Sequence, residues 1–99
     1  MFTPARYKPV GFQQISAATL AAATALTVPA GANVAIIRVG VASTAVSWRD
    51  DGTAPTAAIG MQMLPTDDPF EYSANLAAIQ FILSVGLPTL GISYYQAFV

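Results

Sequence analysis

Asn33-Val34-Ala35-Ile36-Ile37-Arg38-Val39-Gly40 is followed closely by Thr44-Ala45-Val46-Ser47-Trp48, and then by Arg49-Asp50-Asp51-Gly52-Thr53-Ala54-Pro55-Thr56. Successive side chains of a strand point to opposite faces. In the first run that puts Val34, Ile36 and Arg38 on one face and Ala35, Ile37 and Val39 on the other. Both faces are apolar except at Arg38, as expected for a strand covered on both sides. The second run alternates more openly, with Thr44, Val46 and Trp48 opposite Ala45 and Ser47. The third is turn chemistry: Asp-Gly supplies the positive φ of a tight turn, and aspartate caps its own backbone.

The same alternation of short apolar run and breaker extends in both directions. Gln13 to Ala17 and Leu20 to Val28 read as strands on the N-terminal side, closed by the turn Pro29-Ala30-Gly31-Ala32. The Ala-rich stretch from Ala17 to Ala25 can instead be read as one or two helical turns, since alanine is the strongest helix former. Towards the C-terminus, Ile59 to Leu64, Phe70 to Ser73, Leu76 to Val85 and Leu90 to Tyr95 are strand candidates. Pro65 to Pro69, then Gly86 and Pro88, supply the turns between them. No helical pattern separates these runs as a parallel sheet would require. The expectation is an all-β protein, an antiparallel β-sandwich or jelly roll of about seven to eight short strands.

Residues 1–11 stand apart as an extended N-terminal arm, with residues 12–99 forming a single domain. Pro4 and Pro9 block a regular helix or a central strand and push the residue before each towards extended conformations. Phe2, Tyr7 and Val10 give the arm something to bury, and Arg6 and Lys8 offer charge to an acidic partner.

Composition bounds the function. Ninety-nine residues make one small domain, of which 55% are hydrophobic and only 9% charged, against about 25% charged in an ordinary soluble domain. A domain of this size cannot bury all of that apolar surface internally, so the surplus must face another protein or a membrane. Pro9 to Ile37 and Tyr72 to Val99 carry no charge, but prolines, glycines, threonines and amides interrupt both, and neither reads as a spanning helix. Met1 to Gly11 also lacks the apolar core of a signal peptide. A net charge of −1 with four scattered cations offers no electrostatic footprint for nucleic acid. The chain has no Cys and no His, so disulfides, thiolate metal sites and the commonest catalytic base and metal ligand are all missing.

Three clusters remain that could carry chemistry. Asp50 and Asp51 before Gly52 could begin a calcium loop, but that motif needs further oxygen ligands at set intervals. The next acid is Asp67, so a β-turn is the better reading. Asp67, Asp68 and Glu71 could pair carboxylates for glycoside cleavage; without a deep cleft they read as a solvated turn. Trp48, Tyr94, Tyr95 and Phe98 could stack on a sugar, seal an interface or fill a core. Tyr94 and Tyr95, adjacent in a strand, must face opposite ways. The expectation is no enzyme activity, no cofactor and no metal.

Three segments occur in order: Gly11-Phe12-Gln13-Gln14-Ile15; the string from Trp48 to Thr56 with Gly60-Met61; and Phe70-Glu71-Tyr72-Ser73 through Ala78-Ile79-Gln80-Phe81-Ile82 to Ser93-Tyr94-Tyr95. Together they resemble a group of small virion proteins of tailed bacteriophages, over most of the chain from Gly11 onward. The WRDDGT-x-PT string is the specific part. The proline-containing arm before Gly11 departs from that group. The resemblance implies a cement or decoration protein on the capsid exterior, made in the host bacterium, which binds the major capsid protein and copies of itself as a dimer or trimer. Nucleic acid and membrane are not expected partners. On that reading Phe2, Arg6, Tyr7, Lys8 and Val10 form a capsid-contact arm, and Tyr94, Tyr95 and Phe98 seal a subunit interface. Trp48, Arg49, Asp50, Asp51 and Gly52 form a structural turn with polar rim contacts. The alternatives are a neck or tail protein, a carbohydrate-binding module attaching virions to glycans, and a small membrane-active protein.

Overall fold

A computed structural model describes residues 7–97. In chain order the elements are β1 (Tyr7–Ile15), α1 (Ala17–Leu20), β2 (Thr24–Ala25), β3 (Val34–Val39), β4 (Ala45–Arg49), β5 (Met61–Met63), β6 (Phe70–Tyr72), β7 (Gln80–Val85) and β8 (Leu90–Ala97). They form two antiparallel four-stranded sheets, ordered β1-β8-β3-β6 and β2-β7-β4-β5. The pairing is nested: β1 with β8, β2 with β7, β3 with β6, β4 with β5. The chain is therefore one long antiparallel ribbon, reversed between β4 and β5 and rolled so that successive rungs alternate between sheets. This is the strand order of a jelly-roll sandwich. Its reversal point is the Asp-Gly segment, at the middle of the 99-residue chain.

The β3 run carries the first sheet. Ala35, Ile37 and Val39 are buried against Leu90, Ile92 and Tyr94 of β8 and against Val46 and Phe81 from the second sheet. Removing such side chains from water contributes about 1.5–3 kcal/mol each for the larger ones. The opposite face of β3 is not covered as the sequence suggests: Ile36 is half-buried and Arg38 exposed, although Val34 is buried. With β3 in the interior of the sheet, its backbone is paired on both sides while its outer face stays open around those two residues.

Three strand expectations shrink, and Ile59 to Leu64 keeps only Met61–Met63. Of the Ala17-to-Ala25 stretch, the helical reading holds for a single turn, Ala17–Leu20, and of the strand expected from Leu20 to Val28 only Thr24–Ala25 is strand. Ser16 caps α1, its hydroxyl accepting from the Thr19 amide at 3.4 Å, and Leu20 anchors it in the core. Beyond α1 the single Thr24 hydroxyl proton is shared between the carbonyls of Thr19 and Ala22, at 2.9 and 2.8 Å, a side-chain bond that competes with further helical pairing. Likewise Leu76 to Ile79 is a turn, its Ala78 and Ile79 amides both donating to the Asn75 carbonyl, and β7 begins at Gln80.

At the other end, β1 starts earlier than Gln13. Tyr7 to Gly11, the described part of the arm, is extended and paired with β8 through a register shift between Pro9 and Gly11. Among the described residues no helix is long and apolar enough to cross a membrane.

Candidate functional site

Trp48 faces inward from β4 near the edge where the two sheets meet. Its ring stacks on Phe70 of β6, with centroids 5.2 Å apart and planes at 28°, and meets Tyr72 edge-on at 6.2 Å. Phe70 and Tyr72 are themselves 5.8 Å apart. Strand alternation explains the cluster: Phe70 and Tyr72 lie opposite Ile37 and Ala35 on the core face, and Trp48 lies opposite Phe81 on the core face of the other sheet. Trp48 remains half-buried, because the strand beyond it, β5, ends the sheet.

Asp50 fastens this cluster. The Tyr72 hydroxyl donates to Asp50 Oδ2 at 2.6 Å and accepts from the Asn75 amide at 2.9 Å, so one buried phenol ties the exit of β4 to β6. Burial, and then the bond to Asp50, raises the Tyr72 phenol above its ordinary pKa. Asp51 turns the other way. Its carboxylate accepts from Arg49 Nε at 3.1 Å and from the Thr53 amide at 3.3 Å, and the Arg49 bond holds it below the usual carboxylate range. Gly52 takes φ +88° with open space around it. The chain then folds back over the outer face of the second sheet: Pro55 is buried, the Ser84 hydroxyl donates to the Ala57 carbonyl at 2.8 Å, and Ser47 is buried below. Gly60, at φ +148°, passes so close to β4 that an added Cβ would lie 3.0 Å from the Trp48 carbonyl oxygen.

Two hollows flank the Trp48–Met61 pair. One, of about 410 Å³, runs past Asp50, Asp51 and Ile59; the other, of about 310 Å³, runs past Met63, Phe70 and the Asp67–Glu71 turn. Asp67 accepts from the Leu64 amide at 2.8 Å and so closes its own turn. Glu71 accepts from the Tyr7 hydroxyl at 2.6 Å, which raises the Tyr7 phenol. Among the described residues no three carboxylates converge as they would around a metal ion.

Of the five residues read as a structural turn, Trp48, Arg49 and Asp50 are half-buried and Asp51 and Gly52 exposed. The interface set separates. Tyr94 is 1% exposed and donates to Gln13 Oε1 at 2.6 Å, so it has no surface to offer a partner. The physical reason is its register opposite Ala35, on the core face. Tyr95 takes the outer face, half-buried, its ring 5.9 Å from that of Tyr7. Of the arm, Lys8 is exposed, Tyr7 and Val10 are half-buried, and Val10 packs against the core. Phe2, Arg6 and Phe98 lie outside the described residues.

Sequence reasoning misses Gln13 as the acceptor for both Tyr94 and the Thr27 amide, and Tyr72 as the clasp on Asp50. Neither pair is near in sequence. Exposed Ile59 and Met61 carry no local signal that separates them from ordinary strand residues. No family model, no curated protein and no solved structure matches the chain.

Proposed function

We propose that this protein is a non-enzymatic structural component of a tailed-bacteriophage virion, a cement or decoration protein bound to the outside of the capsid shell. The observation that carries the reading is apolar exposure. Phe12, Val41, Ile59, Met61, Leu64, Val85 and Leu87 are each 40–71% exposed in a chain with only nine charged residues. Surface of this kind is characteristic of a protein that completes itself against neighbours. The carboxylates support the reading too: Asp50, Asp51 and Asp67 are held in turns and clasps, which is architecture. The jelly roll recurs among viral coat proteins; fold analogy adds only a little, since one fold hosts many functions. The resemblance carried by WRDDGT-x-PT supplies the rest. Spread over a symmetric shell, modest contacts at each copy sum to strong resistance to internal pressure.

A glycan-binding module would present a row of exposed rings, whereas Trp48, Phe70 and Tyr72 are packed on one another. A neck or tail protein differs from a cement protein in copy number. The deciding experiment is cryo-electron microscopy of purified particles combined with quantitative mass spectrometry. Hundreds of copies over the capsid surface are expected. A dozen or fewer copies confined to the neck or tail, or absence from the particle, would overturn the proposal.

A further inference from the structure

The outer face of the β1-β8-β3-β6 sheet is covered over one half only. Tyr7 reaches from β1 at one edge to Glu71 on β6 at the other, its hydroxyl donating at 2.6 Å. Its ring lies 5.9 Å from that of Tyr95, which stands opposite Val34. That half is closed, and Val34 is 3% exposed. The next row along the strands runs Phe12, Ser93, Ile36 and Glu71, and the row after it contains Gly91 and Arg38. Here the face is open: Phe12 is 69% exposed, Ile36 half-buried and Arg38 exposed. Gly91 leaves bare backbone beside Phe12, whose ring a Cβ added at Gly91 would meet at 3.9 Å. Yet β3 has the sequence of a strand covered on both sides.

The two charges on these rows are of opposite sign. Arg38 makes no ion pair among the described residues. Glu71 accepts from Tyr7 through one oxygen, and a carboxylate has further lone pairs to offer. A face that carries an unpaired cation, a carboxylate and an apolar strip between them complements itself. We infer that a second copy of this chain covers it, packed face to face about a two-fold axis that lies in the interface and runs across the strands between the two open rows. Rotation about that axis lays each row over the other row of the partner. Phe12 then rests on the bare backbone at the partner's Gly91. Arg38 stands over the partner's Ile36, one strand spacing, about 5 Å, from the partner's Glu71. Strands of the two facing sheets stay near parallel to one another in direction, the aligned mode of sheet packing. Such a contact is isologous, so it is used up at a dimer and builds no chain or larger ring. It is independent of the virion reading and is tested on the purified full-length protein alone.

The test reverses each charge in the full-length chain. Arg38→Glu leaves the face with two acidic residues, and Glu71→Arg leaves it with two basic ones. Sedimentation velocity over a concentration series should show the wild type passing from monomer to dimer and no further. Either reversal alone sets like charges opposite one another and should weaken dimerisation by about tenfold or more. An equimolar mixture of the two variants restores both pairs between unlike chains and should form heterodimers. A role of either residue within its own chain cannot produce that rescue. Phe12→Ser, which leaves the Tyr7–Glu71 bond intact, should also weaken dimerisation, while the melt of the dilute protein stays that of the wild type. A wild type that stays monomeric throughout overturns the inference; so does a mixture that remains monomeric. Circular dichroism checks the fold of each variant. Should Glu71→Arg fail to fold, Arg38→Glu and Phe12→Ser still read the face, and a dimer that both retain overturns the inference.

Discussion

Replacing Tyr72 with phenylalanine removes one oxygen from a buried clasp and leaves the ring where it is. That oxygen donates to the Asp50 carboxylate and accepts from the Asn75 amide, at 2.6 and 2.9 Å. A hydrogen bond to a charged acceptor contributes about 1.5–3 kcal/mol, and an orphaned amide costs about 1–3 kcal/mol when water cannot replace the partner. Asp50 is half-buried and Asn75 exposed, so water recovers part of both, and the low ends apply. Tyr72→Phe should therefore lose about 2–3 kcal/mol. At roughly 4–8 °C per kcal/mol for a domain of this size, Tm should fall by about 8–24 °C. Urea unfolding followed by Trp48 emission is the natural assay, since Trp48 sits edge-on to the Tyr72 ring. A double-mutant cycle with Asp50→Ala isolates the clasp from the remaining contacts of each residue. A loss below about half a kcal/mol, or additive single losses, would refute the assignment of Tyr72–Asp50 as the tie between the two sheets.

High pH should act through the same residue class. Burial pushes the Tyr94 phenol up to about 12 and raises Tyr72 as well, so both stay protonated in the folded state where the unfolded chain ionises near 10. Their contribution is complete below that value and is lost as pH rises towards about 12, so urea midpoints should fall steeply over that window and less steeply for Tyr94→Phe. Gly60→Ala should destabilise more than Gly52→Ala. Both take positive φ, but only at Gly60 does the new Cβ meet a backbone oxygen at 3.0 Å, while at Gly52 it meets open space; thermal melts of the two rank them. Phe81→Ala, at a fully buried site, should lose about 3–5 kcal/mol. Phe12→Ser, at 69% exposure, should leave the melt unchanged and raise solubility.

The parts of this fold legible in the sequence are those fixed locally. The β3 and β4 runs and the Asp-Gly turn are each specified within a few residues by alternation and by backbone chemistry. Where a short turn closes on itself, local pattern misleads: the Thr24 hydroxyl takes the Thr19 carbonyl just beyond the end of α1, and the backbone carbonyl of Asn75 takes the Ala78 and Ile79 amides, turning a four-residue piece of an apolar run away from the ladder. The site was legible as ingredients only. Trp48 and both acidic clusters are conspicuous, yet nothing near them in sequence says that the clusters flank the same Trp48–Met61 pair. That depends on β6 of one sheet standing beside β4 and β5 of the other, a relation fixed by rolling the ribbon. Tyr94 illustrates the same limit. One residue of register decides whether it seals an interface or fills a core, and register comes from pairing with β3.

Nesting also sets the order in which this chain can become a protein. Tyr7 pairs with Ala97 and Ile15 with Leu90, so β1 cannot pair until β8 has been made. At roughly 5–20 residues per second that wait is several seconds. Until then the apolar β3 run lacks its β8 partner, and β4–β5 is the rung closest in sequence. The Asp-Gly segment is the one place where both partners of a rung are made within moments of each other. A lesion there should therefore cost soluble yield in the cell more than it costs stability in the test tube, because it removes the seed on which every later rung closes.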